Sequence, residues 1–247
     1  MNFLTRQCLA ALYLLGALLS ASAHANVVIS GTRVIYPAEQ REVSVKLTNE
    51  GDRPALMQAW IDSGNANESP EESAAPFMLT PPLARVEPGK GQTLRLVYLK
   101  EPLPVDRESV FYLNVLDIPP SARPSDEHNQ LQVAFRTRIK IFFRPSGLPS
   151  DPDSAAEQLT WKLIHESSGA YALECQNTSP YHVSLTEVRL QHGGRTEEGG
   201  VGMVAPNATF RFALKGLATL PTGPLELHYT SMNDYGAGVP HQTQITP

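Results

Sequence analysis

Along most of the chain, apolar and polar residues alternate with a period of two, the pattern of half-buried β-strands. Val43, Val45 and Leu47 open the series, and Asn49-Glu50-Gly51 closes that strand with a turn. Met57 to Ile61, Leu94-x-Leu96-x-Tyr98 and Val110-x-Tyr112 continue it. No window before residue 145 sustains a helical period, and Gly64 to Ala75 is polar and acidic enough to be a surface loop. The segment Arg144-Pro145-Ser146-Gly147-Leu148-Pro149-Ser150-Asp151-Pro152 then breaks the alternation and reads as a linker.

Shorter alternating runs follow the linker: Leu159-x-Trp161-x-Leu163, Tyr171-x-Leu173-x-Cys175, Val183-x-Leu185, Thr209-x-Arg211-x-Ala213 and Leu225-x-Leu227-x-Tyr229. Turn signals at Gly193-Gly194, Gly199-Gly200, Ala205-Pro206-Asn207 and Pro221-Thr222-Gly223-Pro224 separate them, a spacing that fits a second, smaller β-sandwich. The expected fold is all-β, with one domain over residues 26–147 and another over 148–247.

Residues 1–25 stand apart. Arg6 supplies a positive start, Cys8 to Leu19 is an almost unbroken apolar run, and Ala21-Ser22-Ala23 or Ala23-His24-Ala25 offers a small-x-small cleavage site. This is the pattern of a secretory signal peptide, and the run is shorter than the ~20 residues a bilayer span needs. Cleavage after Ala25 leaves 222 residues with Cys175 as the one remaining cysteine, so no internal disulfide is expected. Tyr171, Leu173 and Cys175 share a strand face, which makes Cys175 a buried structural thiol.

Composition narrows the class further. The 247 residues are 41% hydrophobic and 18% charged with a net charge of −5, which excludes a coiled coil, a disordered acidic tail and a basic nucleic-acid binder. Charge is unevenly shared: residues 26–145 hold 14 Lys and Arg against 15 Asp and Glu, whereas residues 146–247 hold 5 against 10. A recognised anion therefore belongs with the first domain.

Catalytic chemistry finds little support. His128, His165, His182, His192, His228 and His241 are scattered without metal-ligand spacing, and neither a nucleophile elbow nor a phosphate loop is present. Glu71-Glu72 and Glu197-Glu198 read as solvated loop charge. No cofactor, metal or catalytic residue is expected.

The most informative stretch is Asn129 to Pro145. Leu131, Val133, Phe135, Thr137, Ile139 and Ile141 lie on one face, and Gln132, Ala134, Arg136, Arg138 and Lys140 on the other. A strand of about 14 residues, roughly 45 Å long, is about twice the usual length. Either it serves as a central core strand throughout, or its first half, Leu131 to Phe135, offers an apolar edge to another chain.

At this stretch the chain resembles the PapD-like periplasmic chaperones of the chaperone–usher pilus pathway. Thr32-Arg33-Val34-Ile35-Tyr36 is similar to the family's first strand, Pro81-Pro82-Leu83 to its Pro-Pro turn, and Leu103-Pro104-x-Asp106-Arg107-Glu108-Ser109-Val110-Phe111 with Asn114 to its most specific signature. Ile139-Lys140-Ile141-Phe142-Phe143-Arg144-Pro145 and Asn233-Asp234-Tyr235-Gly236 complete the set in the family's order. The short connection between Ile118 and Asn129 resembles the branch with a short loop before the long strand.

The resemblance implies two immunoglobulin-like sandwiches at an angle with a cleft between them, and a non-enzymatic chaperone in the periplasm. Its partners would be pilus subunits and an outer-membrane usher, with neither nucleic acid nor membrane insertion, and with self-association open to the free protein. Leu131, Val133 and Phe135 would fill a subunit's open groove by donor-strand complementation. Arg33 and Lys140 would anchor the subunit's terminal carboxylate, and Glu108, Arg144 and Asp234 would form an interdomain ion network. Tyr112 stands where the family often has Trp, Ala84 where it often has a larger residue, and Phe135 where Leu is frequent. The competing readings are an exported adhesion or receptor-binding protein, which would use its loops, and a secreted hydrolase, which would need a pocket of converging titratable groups.

Overall fold

The computed structural model describes residues 27–118, 133–167, 169–221 and 223–245. The first half folds into nine strands: β1 (Val27–Ile29), β2 (Arg33–Pro37), β3 (Val43–Asn49), β4 (Ala55–Asp62), β5 (Phe77–Thr80), β6 (Leu83–Val86), β7 (Gly91–Tyr98), β8 (Ser109–Ile118) and β9 (Phe135–Arg144). They form two sheets, β1-β3-β7-β5 and β2-β9-β8-β4-β6. Inward residues from both, among them Leu47, Met57, Leu94, Leu96, Leu113 and Ile141, close a core that excludes water. Tyr36, Phe77, Phe111 and Phe143 interlock in it with ring centroids 5.1 to 6.2 Å apart.

A 3-10 helix over Pro152–Ala156, begun by the Asp151 side chain accepting from the Asp153 backbone N–H, leads into the second half. There β10 (Thr160–His165), β11 (Tyr171–Asn177) and β15 (Ala208–Leu214) make one sheet. The other holds β13 (Arg195–Glu198), β12 (Val183–His192), β16 (Leu225–Met232) and β17 (Gly238–Ile245), with β14 (Gly202–Val204) beside β12. Trp161, Leu173, Phe212, Leu227 and Tyr229 belong to this separate core. The all-β expectation therefore holds, and no α-helix occurs among the described residues.

Four sequence expectations change. The alternation at Val110 and Tyr112 marks the outward face of β8, because Phe111, Leu113 and Val115 fill the core. The alternation at Thr209, Arg211 and Ala213 marks the outward face of β15, because Phe212 and Leu214 fill the core while Phe210 leans over Gly202. Glu197 and Glu198 end strand β13 instead of lying in a loop, and Glu198 accepts from Arg189 at 3.0 Å. The described long strand, β9, has 10 residues instead of about 14; Val133 and Ala134 precede it, and Leu131 lies outside the described residues, as does most of the Ile118 to Asn129 connection. Strands β5, β6, β13, β14 and β17 are too short or too polar for alternation to reveal them.

Candidate functional site: an interdomain cleft and an open strand edge

Strand β9 has two faces with different work. Ile139, Ile141 and Phe143 point into the first core, which fixes the strand's register against β8. The opposite face carries Arg136, Arg138, Lys140, Phe142 and Arg144 toward the second domain and solvent. Buried Phe142 belongs to neither core and instead meets the His182 ring of the second domain, 5.7 Å between centroids.

Most cations on this face are already matched. Arg144 Nε donates to Glu108 at 2.8 Å, and its two terminal nitrogens donate to Asp234 at 2.6 and 2.9 Å. Glu108 is 1% exposed and also accepts the His182 backbone N–H at 2.8 Å, so the three residues join β8, β9 and the β16–β17 turn across the domain junction. Burial works against the Arg144 charge, but the Asp234 and Glu108 carboxylates more than compensate and hold its pKa above the ordinary guanidinium value. Such a pair costs desolvation, and its value lies in fixing geometry across a junction.

A second network was not read from the sequence. Fully buried Asp62, at the end of β4, accepts from Arg138 Nε at 2.8 Å, from Asn114 at 2.8 Å and from the Gly64 backbone at 2.8 Å. Burial alone would raise its pKa; the bonds from Arg138, Asn114 and Gly64 outweigh it and hold the carboxyl below the usual range. Asn114 in turn accepts from Arg136 at 2.7 and 3.0 Å, and Arg136 reaches Ala66 of the acidic loop at 2.7 Å. Arg136 lies 4.7 Å over Trp60 and Arg138 3.5 Å over Tyr112. A signal existed in the chain: three cations two residues apart on one strand face need anions from neighbouring strands.

Arg33 and Lys140 are the exceptions. They are register partners where β2 joins β9, and both line a cleft whose far wall is Leu185, Thr186, Val201, Gly202, Met203 and Met232 of the second domain. The β12–β16 register slips between Leu185 and Glu187, next to the Leu185 and Thr186 lining. Arg33 Nη1 donates to Met232 O at 3.0 Å, but its buried Nε has no partner. Burial lowers the Arg33 pKa, opposed by Asp234 and Glu108. Burial also lowers that of Lys140, reinforced by Arg33 and Arg138. No carboxylate among the described residues pairs with either side chain, so two desolvated cations adjoin across the ladder with only the more distant Asp234 and Glu108 opposing the burial of Arg33.

Upstream of Lys140 the β9 edge is open. Strand β8 pairs with the whole of β9, but β2 begins only at Arg33 opposite Lys140, and no described strand takes the other edge of Phe135 to Ile139. Val133 and Phe135 continue the core-facing side of the strand past the core, 50% and 55% exposed. An open edge with apolar side chains is a template for another strand.

Known proteins match both domains. Residues 26–149 match the family described as pili and flagellar-assembly chaperone, PapD N-terminal domain, and residues 154–243 match pili assembly chaperone PapD, C-terminal domain. The chain belongs to the PapD-like pilus-assembly chaperones. This chaperone is 46% identical over 233 residues to chaperone protein FimB/FhaD of Bordetella pertussis, covering 93% of this chain and 92% of that one. The crystal structure of the YadV chaperone superposes with a TM-score of 0.77 at 37% identity, over 89% of this chain and 100% of the other; YadV of Escherichia coli is described as a probable fimbrial chaperone. The SafB chaperone, solved in complex with the Salmonella enterica SafA pilin, superposes with a TM-score of 0.72 at 25% identity over 91% and 97% of the two chains.

Proposed function

We propose that this chaperone captures pilus subunits in the periplasm by lending them the open edge of β9 and seating their terminal carboxylate between Arg33 and Lys140, then passes them to an outer-membrane usher. The observation that carries the reading is the pair of unmatched cations at the point where the open edge ends. A strand that pairs with Phe135 to Ile139 and points its C-terminus at these cations must run parallel to β9, in line with β2. The carboxylate then abuts Arg33 and Lys140 and makes charge-assisted hydrogen bonds, which set the register of the guest.

Register decides which guest side chains face which way, since a slip of one residue turns the whole apolar set over. Val133 and Phe135, with Leu131 before them, supply the groove-filling side chains, and burying each contributes about 1.5–3 kcal/mol before ordering costs. Glu108, Arg144 and Asp234 hold the two domains so that the cleft keeps its shape. A subunit with an exposed groove would otherwise aggregate through it.

The test is co-purification from periplasm of a pilin co-expressed with wild type, Arg33→Ala or Lys140→Glu. Both variants should stay folded and lose the pilin. Wild-type yields from both would overturn the anchor.

A further inference from the structure

Tyr112 occupies a position that the carboxylate anchor alone does not explain. It is the β8 register partner of Lys140, so Arg33, Lys140 and Tyr112 form one row across three adjacent strands. All three line the same cleft. Neighbours in such a row have side chains about 5 Å apart, close enough to share one small ligand. None of the described residues hydrogen-bonds the Tyr112 hydroxyl, whereas the buried phenols of Tyr36, Tyr181 and Tyr229 each donate to a backbone carbonyl.

The ring is held from behind. The Arg138 guanidinium lies 3.5 Å from its centroid, and Asp62 fixes that guanidinium through both of its oxygens. A flat ring against a flat, doubly bonded guanidinium keeps few alternative orientations. The buried Asp62 network therefore ends on a tyrosine that lines the cationic cleft and whose hydroxyl has no hydrogen-bond partner among the described residues.

We propose that Tyr112 is the third donor of the anchor: its hydroxyl donates to the guest's C-terminal carboxylate alongside Arg33 and Lys140. This rests on the capture mode above and deepens it. A carboxylate has two oxygens and about four acceptor sites, so two cations leave room for a hydroxyl. The ligand class is the free C-terminus of an extended chain; a C-terminal amide lacks the charge and half of the acceptors.

The test compares a short Thr/Val-alternating peptide ending in a free carboxylate with the same peptide ending in an amide, each titrated into wild type, Tyr112→Phe and Lys140→Met by calorimetry. Tyr112→Phe should weaken the acid peptide about tenfold, the scale of a hydrogen bond to a charged group, and leave the amide peptide within about twofold. Equal losses on acid and amide, or no loss on the acid, overturn the role of Tyr112. If wild type itself fails to prefer the acid, or Lys140→Met binds both as wild type does, the anchor fails and Tyr112 falls with it. A second reading uses unaltered protein: the Tyr112 13Cζ resonance should move with the acid peptide and stay with the amide. An unmoved resonance under saturating acid peptide overturns the proposal even if Tyr112→Phe is poorly folded.

Discussion

Arg33 and Lys140 face each other as the first register pair of a parallel ladder, and no described strand takes the β9 edge on the upstream side of that pair. Two cations at this spacing repel, and burial raises the cost. Asp234 and Glu108 offset part of that cost for Arg33, which also donates to Met232 O of the second domain. On the proposed capture mode, an incoming carboxylate would relieve that repulsion.

Guest capture should therefore weaken at alkaline pH. Lys140 binds an anion only while protonated, and its pKa lies below the ordinary lysine value through burial and its neighbours Arg33 and Arg138. Affinity for a carboxylate-terminated peptide should be flat near neutrality and fall as pH rises through this lowered value. Lys140→Arg should abolish the fall, since guanidinium stays charged; an identical limb in that variant would assign the titration elsewhere.

The interdomain pairing should matter more to stability than a surface ion pair does. Arg144→Met leaves Glu108, 1% exposed, without its cation, and should cost about 3 kcal/mol in urea unfolding. A loss below about 1 kcal/mol, typical of exposed pairs, would show that Glu108 is rescued by His182 or water.

Asp62 carries an acid dependence. Its pKa is depressed in the folded state, so the stability it contributes is full above the unfolded carboxyl value and is lost as pH falls through the folded one. Asp62→Asn should be about 2–3 kcal/mol less stable at neutral pH, below the range for fully buried pairs because Arg138 keeps 24% of its side chain exposed. The two stability curves should converge in acid. Curves that stay parallel would mean packing, not charge, is what the substitution removed.

Phe135 should separate capture from folding. It is more than half exposed, so Phe135→Ser should shift unfolding by no more than about 0.5 kcal/mol while weakening pilin capture at least tenfold. A large stability loss with intact capture would make it a core residue.

Cys175 is fully buried against the second core, and burial pushes its thiol up to about 12. A thiol reagent at pH 8 should leave native protein unmodified and react on unfolding. Rapid reaction of the folded protein would show that the β10–β11–β15 sheet opens locally.

Alternation along the chain was enough to specify β3, β4, β7, β10, β11 and β16, because their apolar residues repeat on one face over several residues. It misread β8 and β15, whose outward faces also alternate while Phe111, Leu113 and Val115, or Phe212 and Leu214, fill the cores. Short edge strands such as β14 carry no period long enough to detect. The family resemblance implied an ion network of Glu108, Arg144 and Asp234, and these three do meet across the domain junction.

What the chain could not express was which charges cancel. Arg136, Arg138, Lys140 and Arg144 look alike as every second residue of one strand. Only the pairing of β9 with β8 and β4, and the approach of the second domain, brings Asp62 and Asn114 to the first two and Glu108 and Asp234 to the last. Charge neutralisation is a through-space property, acting over a few ångströms between strands 36 to 90 residues apart in sequence. The sequence determined that a cationic strand would be built; the tertiary structure decided that Lys140 and Arg33 would be the cations without a carboxylate partner among the described residues.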